Sequence, residues 1–102
     1  MDVKKYEVFE KTVEKASLTR AAEELGLTQS GVSHIIAAVE AELELPLLRR
    51  TRTGARLTPE GEAVIPFIRE IVSQEQQLRQ KPAQLHAGTA GSIRIGTFTS
   101  AA

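Results

Sequence analysis

The 102-residue sequence contains no cysteine, so neither a disulfide framework nor a cysteine-ligated zinc site can hold it together. That absence suits a reducing compartment. No apolar run approaches the ~20 residues a membrane span requires, and the N-terminal MDVKKYEVFEK has no apolar signal-peptide core. The expected location is therefore the cytoplasm. Also missing are a Gly-rich phosphate loop and any set of His, Asp and Glu at metal-ligand spacing. Ser33 and His34 are adjacent, and adjacent residues on a helix do not face one another, so they form no nucleophile–base pair. The chain is not expected to be an enzyme, and no cofactor is expected within it.

Net charge is missing too: thirteen Lys and Arg balance thirteen Asp and Glu. The distribution matters more than the sum. Residues 1–45 carry five basic against nine acidic side chains, whereas residues 46–58 carry Arg49, Arg50, Arg52 and Arg56 with no acid. A small basic spot beside an acidic body makes any affinity for nucleic acid local and oriented.

What is present centres on residues 17–43, SLTRAAEELGLTQSGVSHIIAAVEAEL. Leu18, Ala21, Ala22 and Leu25 recur at helical spacing, and the two alanines allow a second helix to cross closely. Gly26 supplies the left-handed backbone that ends this helix. Either Ser17 or Thr19 caps its start, and Thr28 caps the next helix. That second helix is expected to bury Val32, Ile35, Val39 and Leu43, to leave Gln29, Ser30, Ser33 and His34 outward, and to end near Leu43–Leu45 ahead of Pro46. A helix, a short Gly turn and a helix with a polar N-terminal face form a helix-turn-helix, which lays its second helix in the DNA major groove.

Before it, residues 2 to about 15 read as a helix with Val3, Tyr6, Phe9 and Val13 facing the core. After it, Leu47–Arg50 and Ala55–Leu57 read as short strands around the loop Thr51-Arg52-Thr53-Gly54. In isolation, arginines on such a loop are as readily a solvated turn as a DNA contact. Beside a helix-turn-helix they form a wing whose arginines suit phosphate or the minor groove, although Arg49 can equally pair with Glu42 or Glu44.

Thr58-Pro59-Glu60 is a helix start, with Thr as cap and Pro at the first position. The helix is expected to reach Gln80–Lys81, with Pro66 bending it and Pro82 ending or kinking it. Val64, Ile68, Ile71, Glu75, Leu78, Pro82 and Leu85 trace a heptad seam in which Glu75 and Pro82 are defects. Val64, Ile68, Ile71, Val72 and Leu78 are the expected dimerisation residues, with Val64, Ile65 and Ile68 also explicable by packing within the chain. Gln80–Ser92 reads as a Pro/Gly/Ala-rich hinge, and residues 92–98 alternate like a strand that opens a further domain beyond this sequence.

Taken together, Tyr6–Phe9, Ser17–Ala22, Leu25, Thr28–Ser33, Val39-Glu40, Leu43, Pro46–Arg50, Leu57-Thr58 and Gly61 resemble the N-terminal part of a LysR-type transcriptional regulator. Ser92–Gly96 is similar to the strand that opens that family's effector-binding domain. The resemblance implies a mainly α fold: a winged helix-turn-helix over 1–58, a linker helix and hinge over 59–87 that dimerises, and the start of an effector-binding domain over 88–102. It further implies sequence-specific promoter binding, switched by a small molecule bound in the absent C-terminal domain. Three positions depart from the family pattern: Glu44 stands where Gly is usual, Leu48 where Phe is common, and His34 where Arg is frequent.

On this reading Gln29 is the first candidate for base contact, because a carboxamide bonds bidentately to adenine. Ser30, Ser33 and His34 point the same way, Thr28 and the helix N-terminal amides are suited to a phosphate, and Arg20, Arg50, Arg52 and Arg56 are backbone clamps. A winged helix used only for protein contact is the rival reading, and the acidic face of residues 1–45 suits it.

Overall fold

The computed structural model describes residues 3–92, with side chains to Gly88. The architecture is mainly α, in the order α1 (Lys4–Lys15), α2 (Leu18–Leu25), α3 (Gln29–Leu43), β1 (Leu48–Thr51), β2 (Gly54–Leu57) and α4 (Pro59–Ser92). One compact unit ends at Val72 and a second begins at Ser73.

The ends of the first three helices follow from local chemistry. Ser17 Oγ accepts from the Arg20 amide at 3.1 Å and caps α2; Thr19 takes no part. Gly26, at φ +70°, closes α2 in the left-handed region. Thr28 Oγ1 accepts from the Gly31 amide at 3.0 Å and caps α3. α1 and α3 close on left-handed residues that are not glycine, Ala16 at φ 54° and Glu44 at φ 57°. The departure at Glu44 therefore does not change how α3 ends: a side chain is carried where glycine is unstrained.

α1, α2 and α3 pack together around Val8, Phe9, Leu18, Ala22, Val32, Ile36 and Val39, with Leu47, Ala55, Ile65 and Ile68 completing the core. The buried face of α3 is Val32, Ile36 and Val39, and Ile35, expected inside, is only partly buried. The difference is one of phase. Spacings of four and three fit either isoleucine, and the position of α1 across α3 selects Ile36. α1 is similarly rotated: Val8, Phe9 and Thr12 are innermost, while Tyr6 and Val13 lie at the rim. Thr12 is buried at no polar cost because its hydroxyl donates to the Val8 carbonyl at 2.8 Å.

β1 and β2 pair antiparallel, with Arg49 opposite Arg56 and Arg50 opposite Ala55. Two latches fasten this wing. The Ala55 amide donates to the Ala16 carbonyl at 3.0 Å, and Gly54 permits that approach because a Cβ there would lie 2.1 Å from the same oxygen. At the other end, Glu40 Oε2 on α3 accepts from the Leu47 and Leu48 amides at 2.7 and 3.0 Å. Thr58 then joins the wing to α4: its amide donates to Leu47 O and its hydroxyl to Pro46 O, while Oγ1 accepts from the Gly61 amide at 2.9 Å.

α4 departs most from expectation. It does not end near Lys81 but continues to Ser92 through Pro82 and the stretch read as a hinge. One proline removes one backbone donor, and Gln80, Lys81, Ala83, Gln84 and Leu85 around it are strong helix formers. Pro66 is tolerated between Ile65 and Ile68, both anchored in the core. The first compact unit thus includes the opening turns of α4 and does not close at residue 58. In the second unit the Arg79 guanidinium donates to Glu75 Oε2, which gives the acidic defect of the seam a partner on its own helix. The expected strand over residues 92–98 lies outside the described residues, apart from Ser92.

Burial also divides the expected dimerisation set. Ile68 and Val72 are each only 3% exposed, and Val64 packs against the core, so these three are engaged within their own chain. Ile71 and Leu78 remain 41% and 54% exposed, as do Phe67 and Leu85 more fully. These four are the exposed large apolar side chains of α4 among the described residues.

Candidate nucleic-acid interface

α3 presents its polar end because its apolar stripe is spent inward on Val32, Ile36 and Val39. Gln29, Ser30 and His34 are exposed and Ser33 is half-buried. With Ala37 and Arg50 these four line one shallow depression. The Thr28 hydroxyl is occupied by capping and lies 3.4 Å from Ser30 Oγ. A Cβ at position 31 would come within 3.0 Å of that cap oxygen, so glycine keeps the helix start open.

The wing arginines separate by strand register. Cross-strand partners share a face of the ribbon. Arg50 is therefore on the side of buried Ala55, turned towards the helices, and its Nη2 donates to Ser33 Oγ. Arg49 and Arg56 stand directly opposite one another on the other side, both exposed. Like charges so placed oppose folding by a few tenths of a kcal/mol. Arg52, in the turn, lines a groove with Ser17, Thr19, Gln29 and Arg50. Arg20 shares its surroundings with Lys15, Glu23 and Glu24 instead, not with the α3 side chains.

The acidic body does not neutralise the wing. Among the described residues, none of Arg49, Arg50, Arg52 and Arg56 has a carboxylate within 4.0 Å. Glu42, one suggested partner for Arg49, is taken by Lys5 at 3.0 Å and by the Tyr6 hydroxyl at 2.8 Å. The bonds from Lys5 and Tyr6 lower the Glu42 pKa, and the bond to Glu42 raises that of Tyr6. Glu24 is bridged by Lys15 and Lys11, both at 2.9 Å, and these hydrogen bonds hold its pKa down to about 2. Lys5 of α1 thus engages Glu42, one of the two acids that sequence alone would set against Arg49.

Three contributors escaped the sequence reading of the site. Glu40 positions the wing through backbone bonds seven and eight residues away, and no short-range pattern signals such a bond. Ser17 and Thr19 form one wall of the groove at Arg52; their sequence signals were the capping position and their place in the stretch Ser17–Ala22 that carries the family resemblance.

No helix among the described residues is long and apolar enough to cross a membrane, and no group of three or more potential metal ligands occurs among them. The family model described as bacterial regulatory helix-turn-helix protein, lysR family, matches residues 3–62. The uncharacterized HTH-type transcriptional regulator YvbU of Bacillus subtilis (strain 168) is 38% identical over 102 residues, covering 99% of this chain and 35% of that protein. The HTH-type transcriptional regulator CzcR of the same organism is 32% identical over 97 residues, covering 95% of this chain and 33% of that protein. The chain therefore spans about a third of the length of these relatives. Among solved structures, the complex of BenM_DBD with catB site 1 DNA superposes with a TM-score of 0.76 at 28% identity, covering 86% of this chain and 95% of that one. VV2_1132, a LysR family transcriptional regulator, gives 0.75 at 28% identity, covering 83% and 29%.

Proposed function

Because the chain belongs to the LysR family of bacterial regulatory helix-turn-helix proteins, we propose that it is the DNA-binding and dimerisation part of a sequence-specific transcriptional regulator. α3 enters the major groove with Gln29, Ser30, Ser33 and His34 towards the base edges, while Thr28 and the α3 amides meet a phosphate. Arg52 and Arg56 bind the flanking backbone, with Arg52 nearest the minor groove and Arg20 a further phosphate contact. Two copies pair along α4 through Ile71 and Leu78 and read half-sites about one helical turn, ~34 Å, or a multiple of it apart. A small-molecule effector acts through a domain outside these residues, and the protein works in the cytoplasm.

One observation carries the reading: an exposed polar helix end adjoins Arg50 and Arg52 of a wing whose four arginines have no acidic partner among the described residues. Unneutralised cations beside uncharged hydrogen-bonding side chains suit a polyanion whose sequence is read. The test is a mobility shift of the 102-residue chain on its upstream DNA and on random duplex between 50 and 200 mM salt. About six phosphate contacts per dimer correspond to roughly a thousandfold loss of affinity over that range. Arg52→Ala should weaken binding on every duplex and flatten the salt slope by about one per chain. Gln29→Ala should cost about 1–3 kcal/mol at one base pair. A slope near zero would remove the wing from the mechanism.

A further inference from the structure

From Gln29 to Leu43, α3 contains no lysine or arginine, yet a guanidinium lies against its exposed face. The wing delivers it. Arg50 leaves β1 on the side of buried Ala55, donates from Nη2 to Ser33 Oγ, and lines the depression shared by Gln29, Ser30 and His34. Arg49 and Arg56 leave the ribbon on the other side. With no carboxylate within 4.0 Å of Arg50 among the described residues, the Ser33 hydroxyl is what holds the guanidinium on the reading face.

Resting on the DNA-binding reading above, we infer that Arg50 and Ser33 form one composite base-reading unit that selects guanine. A hydroxyl has one hydrogen to donate and two lone pairs. Arg50 occupies one lone pair, which turns the Ser33 hydrogen outward, and the guanidinium keeps most of its five N–H donors for a ligand. The pair therefore offers donors side by side. Guanine N7 and O6 meet them with two acceptors, whereas the amino groups of adenine N6 and cytosine N4 set donor against donor. Arg50 is in this sense a positioning residue for Ser33 as well as a base contact.

The experiment is selection of binding sites from a random duplex pool by the 102-residue chain, followed by competition with single-base variants of the selected site. Wild type, Arg50→Ala, Arg50→Lys, Ser33→Ala and the Arg50→Ala/Ser33→Ala double variant are compared. The wild type should show a guanine position whose preference falls roughly ten- to hundredfold in Arg50→Ala. Ser33→Ala should affect the same position, and the double variant should lose no more. Arg50→Lys should keep the salt slope and lose the guanine preference, since an ammonium is a point charge without the planar fork. If Arg50→Ala weakens all sequences equally and leaves the motif intact, or if the two single variants alter different positions, the inference is overturned. A wild-type protein that binds every duplex alike and selects no motif overturns the sequence-reading function, and this inference falls with it.

Discussion

Glu40 offers the sharpest test of how the wing is held beside α3. Its Oε2 accepts from two consecutive backbone amides, Leu47 N at 2.7 Å and Leu48 N at 3.0 Å, in a partly buried setting. Those amides open the chain that carries fully buried Leu47 and then β1. A hydrogen bond to a charged acceptor contributes about 1.5–3 kcal/mol, and an amide left without a partner costs about 1–3 kcal/mol. Two such bonds sharing one oxygen and reached in part by water place Glu40→Ala near 3 kcal/mol. For a domain of this size each kcal/mol lowers the melting temperature by about 4–8 °C, so the variant should melt at least ~12 °C below wild type. Glu40→Gln keeps an acceptor oxygen at the same reach without the charge and should lose only about 1–1.5 kcal/mol. Urea and thermal unfolding followed by far-UV circular dichroism measure both. A Glu40→Ala loss below about 0.5 kcal/mol would refute the latch, and so would a glutamine variant as unstable as the alanine one.

Three further predictions follow from the same geometry. Gly54→Ala would bring a Cβ to 2.1 Å from the Ala16 carbonyl; displacing backbone against backbone should cost more than ~2 kcal/mol in urea unfolding and lower DNA affinity with it. Glu44→Gly should instead stabilise by about 1 kcal/mol, read as a rise in melting temperature, because φ 57° is strained for any residue with a Cβ. Glu24 is held at about 2, below its ordinary value of 4.5, so its contribution to stability is fully present above that ordinary value and is lost as pH falls towards 2. Carboxyl NMR titration should place its midpoint near 2, and Glu24→Gln should remove that part of the acid dependence; a midpoint near 4.5 would deny the two lysine bridges.

Most of the helical framework was legible from residues within four positions of each boundary. Ser17, Gly26, Thr28 and Pro59 mark helix ends through contacts that the neighbouring backbone itself supplies, and such contacts form in much the same way whatever packs nearby. The polar set Gln29, Ser30, Ser33 and His34 was readable for a related reason, since a helix that buries one stripe must expose another. Pro82 misled because its local cost was visible, while the helix formers flanking it were given too little weight.

What the sequence by itself determined was therefore the order of elements, their caps and the chemistry of the exposed helix end. Tertiary structure alone decided which isoleucine of α3 turns inward, how the acids of the body are engaged by α1 lysines, and which face of the wing each arginine leaves. It also decided that Arg50 meets Ser33 and that Glu40 holds the wing. These last contacts join residues seven to seventeen positions apart, and their formation depends on how rigid elements lie against one another in a shared core, a quantity no short stretch of chain encodes.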